Sequence, residues 1–181
     1  MNNDPELIAE GKYLSLYKKD GWEYTQRPNR MDVVGVLPIT DEGLIVLVEQ
    51  YRIPVGATVI EIPAGLMGDT PEHANETMEE TAHRELLEET GYRANEIVPL
   101  LSTPTSAGMT TEMTHLFAAT GLTREHEGGG MDDEEIVVHH VSTSELNPWL
   151  KKKQEEGYMV DYKIQAAVYL STQRLMEELS L

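Results

Sequence analysis

The run His83-Arg84-Glu85-Leu86-Leu87-Glu88-Glu89-Thr90-Gly91-Tyr92 decides how this chain is read. Three glutamates fall within five residues, two leucines stand between them, and a glycine follows at once. Upstream, Thr77-Met78-Glu79-Glu80 has the capping-box pattern, in which the threonine oxygen and the glutamate satisfy each other's backbone N–H groups. Gly91 is a natural stop, because glycine takes the left-handed conformation that ends a helix. A helix over Thr77–Thr90 is therefore expected. On its wheel Glu89 falls about 40° from Glu85, between Met78 at about 20° and Ala82 at about 60°, with Leu86 at about 100° and Glu88 at about −60°. Acids on a solvated face belong opposite the apolar stripe; these share its arc. Carboxylates gathered near a core are costly unless a partner compensates them. Arg84 neutralises one, and three call for a polyvalent cation, for which oxygen-only donors favour Mg²⁺ or Mn²⁺. Spacing alone leaves two readings open, a metal site and a partly buried ion-pair cluster.

Strands precede this helix. Lys12–Tyr17 and Trp22–Arg27 read as a hairpin across Lys18–Gly21. Val33–Leu37 and Leu44–Val48 are continuous apolar runs, expected as central strands buried on both faces. Thr58–Ile62 is a further short strand. After the helix come strands at Ile97–Leu101, Met113–Thr120 and Glu135–Val141, and helices at Ser144–Glu155 and Asp161–Leu179. This order predicts an α/β layered domain rather than a bundle. Residues 1–30 are expected as a small separate antiparallel β lobe and 31–181 as the main domain.

Bulk properties narrow the function. The 181 residues carry a net charge of −18 and no cysteine. Nucleic-acid binding needs a basic footprint and is not expected. Disulfides, thiolate metal sites and a cysteine nucleophile are excluded outright. No run of about 18 apolar residues exists to span a membrane. The start, MNNDPELIAEGKY, does not read as a signal peptide, so a cytoplasmic protein is expected.

The helix and its surroundings resemble the Nudix hydrolase box, G-x5-E-x7-R-E-U-x-E-E-x-G-U. Arg84 through Tyr92 match the second half of the pattern, and Glu76 stands at its proper distance before Arg84. Thr70 occupies the place of the opening glycine. Gly65, in the stretch Glu61-Ile62-Pro63-Ala64-Gly65, resembles the box glycine of the sugar-nucleotide branch. Taking it as such leaves a five-residue insertion within Met67–Asn75, where Thr70-Pro71-Glu72 is expected to start a short helical turn. Gln50-Tyr51-Arg52 and the loop Ser106–Glu112 are also similar to ADP-ribose and nucleoside diphosphate sugar pyrophosphatases, with Ala107 where ADP-ribose enzymes commonly have proline. Asp132-Asp133-Glu134-Glu135 resembles their late acidic loop.

The resemblance implies a Nudix-like α/β/α sandwich with a mixed central sheet, beside the N-terminal β lobe. It implies a metal-dependent hydrolase that splits the diphosphate of nucleoside diphosphate sugars into a nucleoside monophosphate and a sugar phosphate. By that resemblance Glu85, Glu88, Glu89 and the carbonyl of Ala64 hold Mg²⁺, with Mn²⁺ as the alternative. Arg84 orients and neutralises a neighbouring glutamate. Glu134 is the expected general base, followed by Glu135, Asp133 and Asp132, with Glu88 as a further candidate. Gly128–Gly130 gives that loop freedom to close. Substrate-binding candidates are Arg27 and Arg52 for phosphate, Glu61 and Glu112 for sugar hydroxyls, and Trp22, which shares a strand face with Tyr24, for the base. The partner expected besides the nucleotide sugar is a second copy, paired through the N-terminal strands. The rival class is a non-catalytic sugar-nucleotide sensor; a purely structural acidic helix is the third possibility.

Three features are set aside. His139 and His140 point to opposite strand faces and cannot chelate one ion together. Lys151–Lys153 reads as a solvated run complementing a helix dipole, and the methionines as core filling.

Overall fold

A computed structural model describes residues 4–27, 31–130 and 135–179. The chain starts with three strands, β1 (Glu6–Glu10), β2 (Ser15–Lys19) and β3 (Trp22–Gln26), in an antiparallel sheet of that order. Asp20 and Gly21 form the two-residue turn between β2 and β3, with φ of 50° and 85°. Both central positions thus have the positive φ that matches a hairpin's twist. Strand β1 was not anticipated: every residue in it is exposed, so it carries no burial pattern to read.

Eight further strands form two four-stranded sheets. One has the order β10 (Val137–Ser142), β5 (Leu44–Arg52), β6 (Ala57–Glu61), β11 (Met159–Val160). The other runs β7 (Ala64–Leu66), β4 (Val33–Pro38), β9 (Met113–Arg124), β8 (Tyr92–Pro104). Each is mixed, with one parallel pair, β6–β11 in the first and β4–β9 in the second. The expected mixed sheet is thus present as two. The two apolar runs form β4 and β5, inside their sheets, with Val34, Val36, Leu37, Leu47 and Val48 buried.

Period-2 alternation divides the core. In β4, Val34 and Val36 pack beneath helix α1 (Met78–Thr90) with Ala82, Leu86, Phe117 and Ala119. Leu37 points the other way and joins Ile45, Leu47, Ile60, Ile62 and Leu116. Helices α2 (Leu146–Glu155) and α3 (Tyr162–Leu179) close that second core with Leu146, Leu150, Ile164 and Ala167. Among the described residues no helix is long and apolar enough to cross a membrane.

The turn expected from Thr70 is present, closed by His73 N–H on Thr70 O, and a second turn, Glu76 N–H to His73 O, follows it. Other expectations are corrected. Methionine is not mainly core filling, for Met78, Met109, Met159 and Met176 are exposed. Lys153 leaves the solvated run: its ammonium meets Glu49 at 3.2 Å and lies over the Tyr158 ring. Lys151 and Lys152 stay on the surface, facing Glu155 and Glu156. His139 and His140 do diverge, the first to Glu49 and the second to the Tyr92 hydroxyl.

Candidate active site

Helix α1 is held at both ends by its own sequence. The capping box between Thr77 and Glu80 is formed, and Gly91 ends the helix in the left-handed conformation with its N–H on Leu87 O. Between the caps Glu85 and Glu89 are buried, 8% and 4% exposed, among Thr81, Ala82 and Leu86. Their burial is what the wheel anticipated. Met78 shared that arc but is exposed, because the buried face of α1 begins one turn later, at Thr81.

Arg84 organises the acids. Its Nε donates to both oxygens of Glu76 at 3.1 Å, and its Nη1 reaches Glu85 at 2.6 Å and Glu88 at 3.1 Å. Nη2 donates to the Leu66 carbonyl. Burial works against the arginine's charge but is overcome by Glu85 and Glu76, which hold its pKa above the usual range. For Glu85 burial wins: its carboxyl is pushed up to about 7, against Arg84 and with help from Glu88 and Asp69. Glu89 accepts from the Ala64 N–H at 3.2 Å, which ties the helix to β7.

These groups line a cavity of about 520 Å³. Glu85, Glu88, Glu89 and Arg84 stand on one side with Ala64 and Gly65. Arg27, Arg52 and Glu61 line it too, so most of the sequence candidates converge. The cations there have carboxylate partners. Arg27 pairs with Glu112 at 2.5 Å and Arg52 with Glu61 at 2.6 Å. Glu112 thus meets the site through Arg27.

Trp22 is elsewhere. It lines a second cleft, about 390 Å³, with Tyr24 of β3 and Ala107–Thr111. That loop is bound to the N-terminal sheet, with Thr25 N–H on Met109 O and Thr111 N–H on Thr25 O.

Gln50, Asp69 and Lys163 also line the main cavity and were missed. Lys163 had a readable signal. Asp161 caps α3 by accepting the Lys163 N–H at 2.7 Å, and its other oxygen holds the Lys163 ammonium. A lysine in a helix's first turn opposes the dipole there and so asks for an anion. Asp69 sits in the insertion, whose path its sequence does not dictate.

Glu134, Asp133 and Asp132 lie outside the described residues. Glu135 lines a different cavity, with Glu49, Tyr51 and Ile53. The glycines just before this run, Gly128–Gly130, pack closely against the end of α1. Gly129 N–H donates to Glu89 O and Gly130 N–H to Glu88 O, so residues 129 and 130 are anchored on the last turn of α1. Positive φ at both, and the contact a Cβ on Gly128 would make with the Thr90 backbone, explain why glycine stands there.

The NUDIX domain model matches residues 29–162, most of the chain and all of α1. The chain belongs to the Nudix family. This Nudix chain is 36% identical over 169 residues to ADP-ribose pyrophosphatase of Bacillus subtilis (strain 168), across 88% of each. It is 37% identical over 180 residues to the methanol dehydrogenase activator of Bacillus methanolicus, across 95% of this chain and 92% of that one. A solved ADP compounds hydrolase aligns over 97% of this chain and 93% of that one with a TM-score of 0.72, at 19% identity, which is a likeness of fold.

Nudix hydrolases generally use a divalent metal ion. The donor set here fits one: oxygen ligands only, several on one helix face, and in Glu85 a buried carboxylate that one arginine does not fully compensate. Among the described residues no three acidic or imidazole groups already form a ligand set. Arg84 Nη1 holds Glu85 and Glu88 together.

Proposed function

We propose that this Nudix pyrophosphohydrolase cleaves the diphosphate bond of nucleoside diphosphate sugars, ADP-ribose among them, with Mg²⁺ as the working ion. The products are a nucleoside monophosphate and a sugar phosphate. The observation that carries the reading is the cavity in which Glu85, Glu88 and Glu89 share walls with Arg27, Arg52 and Lys163. Carboxylates suit a divalent ion, and cations suit the charge that such an ion leaves on a diphosphate. The name of the Bacillus subtilis relative, ADP-ribose pyrophosphatase, supports the class of chemistry.

Glu85, Glu88 and Glu89, with the Ala64 carbonyl, would hold the ion, whose contribution is to neutralise the diphosphate and acidify a water. Before the ion binds, Arg84 fixes the rotamers of Glu85 and Glu88. Glu134 takes the proton from the attacking water. Arg27 and Arg52 turn from Glu112 and Glu61 towards phosphate oxygens, freeing those carboxylates for sugar hydroxyls. Trp22, which lines the second cleft rather than this cavity, offers its stacking face to the base where a second copy brings the two together.

The N-terminal sheet supports the division at residue 30 and a homodimer. Leu7, Ile8, Tyr13 and Trp22 are exposed, and a three-stranded sheet gains stability from a covered apolar face. A second copy supplies that cover. The cytoplasm is the compartment proposed.

The test is a panel of nucleoside diphosphate sugars in ¹⁸O-labelled water, with Mg²⁺ and with chelator. Metal-dependent release of AMP from ADP-ribose supports the reading, and the label shows which phosphorus is attacked. Tight binding without turnover would make the chain a sensor. The Bacillus methanolicus relative favours one second reading, activation of methanol dehydrogenase. Turnover of that dehydrogenase with and without this chain checks it.

A further inference from the structure

The segment joining Gly65 to Glu76 is five residues longer than the box pattern, and the extra length reaches the catalytic cavity. The turns Thr70–His73 and His73–Glu76 fold it back so that Asp69 lines the cavity with Glu85 and Glu88. Asp69 Oδ1 stands 4.0 Å from Arg84 Nη2. The His73 ring lies between two partners of that arginine, Nδ1 at 3.5 Å from Asp69 and Nε2 at 3.8 Å from Glu76.

Arg84 Nη1 is bonded to the two carboxylates that a divalent ion would take. A cation entering there must displace it, which takes Nη1 from both of its carboxylates, and a half-buried charged donor that loses its partners is unfavourable. Nε stays anchored on Glu76, so the fork can pivot about it. We propose that Asp69 is a positioning residue that receives the Arg84 guanidinium when a divalent cation takes Glu85 and Glu88. The inference rests on the reading of α1 as the metal-holding helix. Among the described carboxylates within 4 Å of Arg84, Asp69 is the one outside the box pattern, and its ion pair is the longest and so the most open to shortening. The insertion thereby sets how readily the cation exchanges with the arginine.

The experiment is a double-mutant cycle read by Mn²⁺ binding in electron paramagnetic resonance, without substrate. Asp69→Asn should weaken Mn²⁺ binding about tenfold, in the range seen when a partner of a metal ligand is lost. Asp69→Glu should recover most of the affinity. In an Arg84→Gln background, Asp69→Asn should have little further effect, because the residue acts through the arginine. Thermal melting checks each fold, and Arg84→Lys replaces Arg84→Gln if the latter does not fold. Additive losses would mean that Asp69 acts only by its own charge, and unchanged affinity in Asp69→Asn would mean that it does nothing; either overturns the proposal. A wild type that binds no Mn²⁺ overturns the metal reading of α1 as well, whereas a wild type that binds beside an unaffected Asp69→Asn leaves that reading standing.

Discussion

A Cβ on Gly65 would stand 2.0 Å from the carboxylate carbon of Glu85. The bare backbone of residue 65 is therefore the floor on which that carboxylate rests. The constraint is steric, since nothing about the φ at this position demands glycine.

Gly65→Ala should consequently fold while pushing Glu85 out of place. Metal affinity and kcat/KM are expected to fall by about ten- to a hundredfold, as for other disturbed ligand supports. Metal titration of activity beside a thermal melt checks this, and full activity would show that Glu85 can yield without consequence.

Glu85 also links stability to pH. Its folded pKa of about 7 lies above the ordinary 4.5, because burial disfavours the charged form. A raised folded pKa stabilises fully below pH 4.5, and the contribution is lost as pH rises through 7. In chelator, Glu85→Gln should therefore gain on wild type between pH 4.5 and 8 by about 3 kcal/mol. Urea unfolding at the two pH values measures the gain; no difference would mean that Glu85 titrates as an ordinary glutamate.

Lys163 faces the cavity from the start of α3, held by Asp161. If it meets the diphosphate, Lys163→Met should cost about tenfold in kcat/KM for ADP-ribose, the range of a charged hydrogen bond, without altering Mn²⁺ affinity. Unchanged steady-state kinetics would leave Lys163 as a structural partner of Asp161.

Glu134→Gln should bind metal and substrate normally and lose turnover by about two to four orders of magnitude, the usual scale for a general base. Single-turnover kinetics at saturating Mg²⁺ reads the loss. A near-normal rate would transfer the base to another acid, with Glu88 the first to examine.

The three consecutive lysines of α2 should behave unequally. Lys153 is inward, bonded to Glu49 with its ammonium over the Tyr158 and Trp149 rings, so Lys153→Ala should cost about 1 kcal/mol by leaving the half-buried Glu49 carboxylate with His139 alone. Lys151→Ala and Lys152→Ala remove only surface pairs and should change stability by under about 0.5 kcal/mol. Chemical denaturation of the three variants decides it.

What the sequence determined by itself is the local structure whose cause is local. The capping box, Gly91 and the position of Glu85 and Glu89 within the apolar arc were all legible, because helix period and cap chemistry act within a few residues. The runs that became β4 and β5 were legible for the same reason, since burial on both faces leaves a continuous apolar signature. Elements lacking such a signature escaped: β1 and much of β8 are exposed, and β7 and β11 exist only by pairing with β4 and β6. The tertiary structure alone decided the partners. It set Lys163 and Asp69 in the same cavity as α1, paired Arg27 with Glu112 and Arg52 with Glu61, and turned Lys153 inward while Met78 faced out. Those outcomes depend on residues far apart in the chain, whose distances are fixed by how sheets and helices pack.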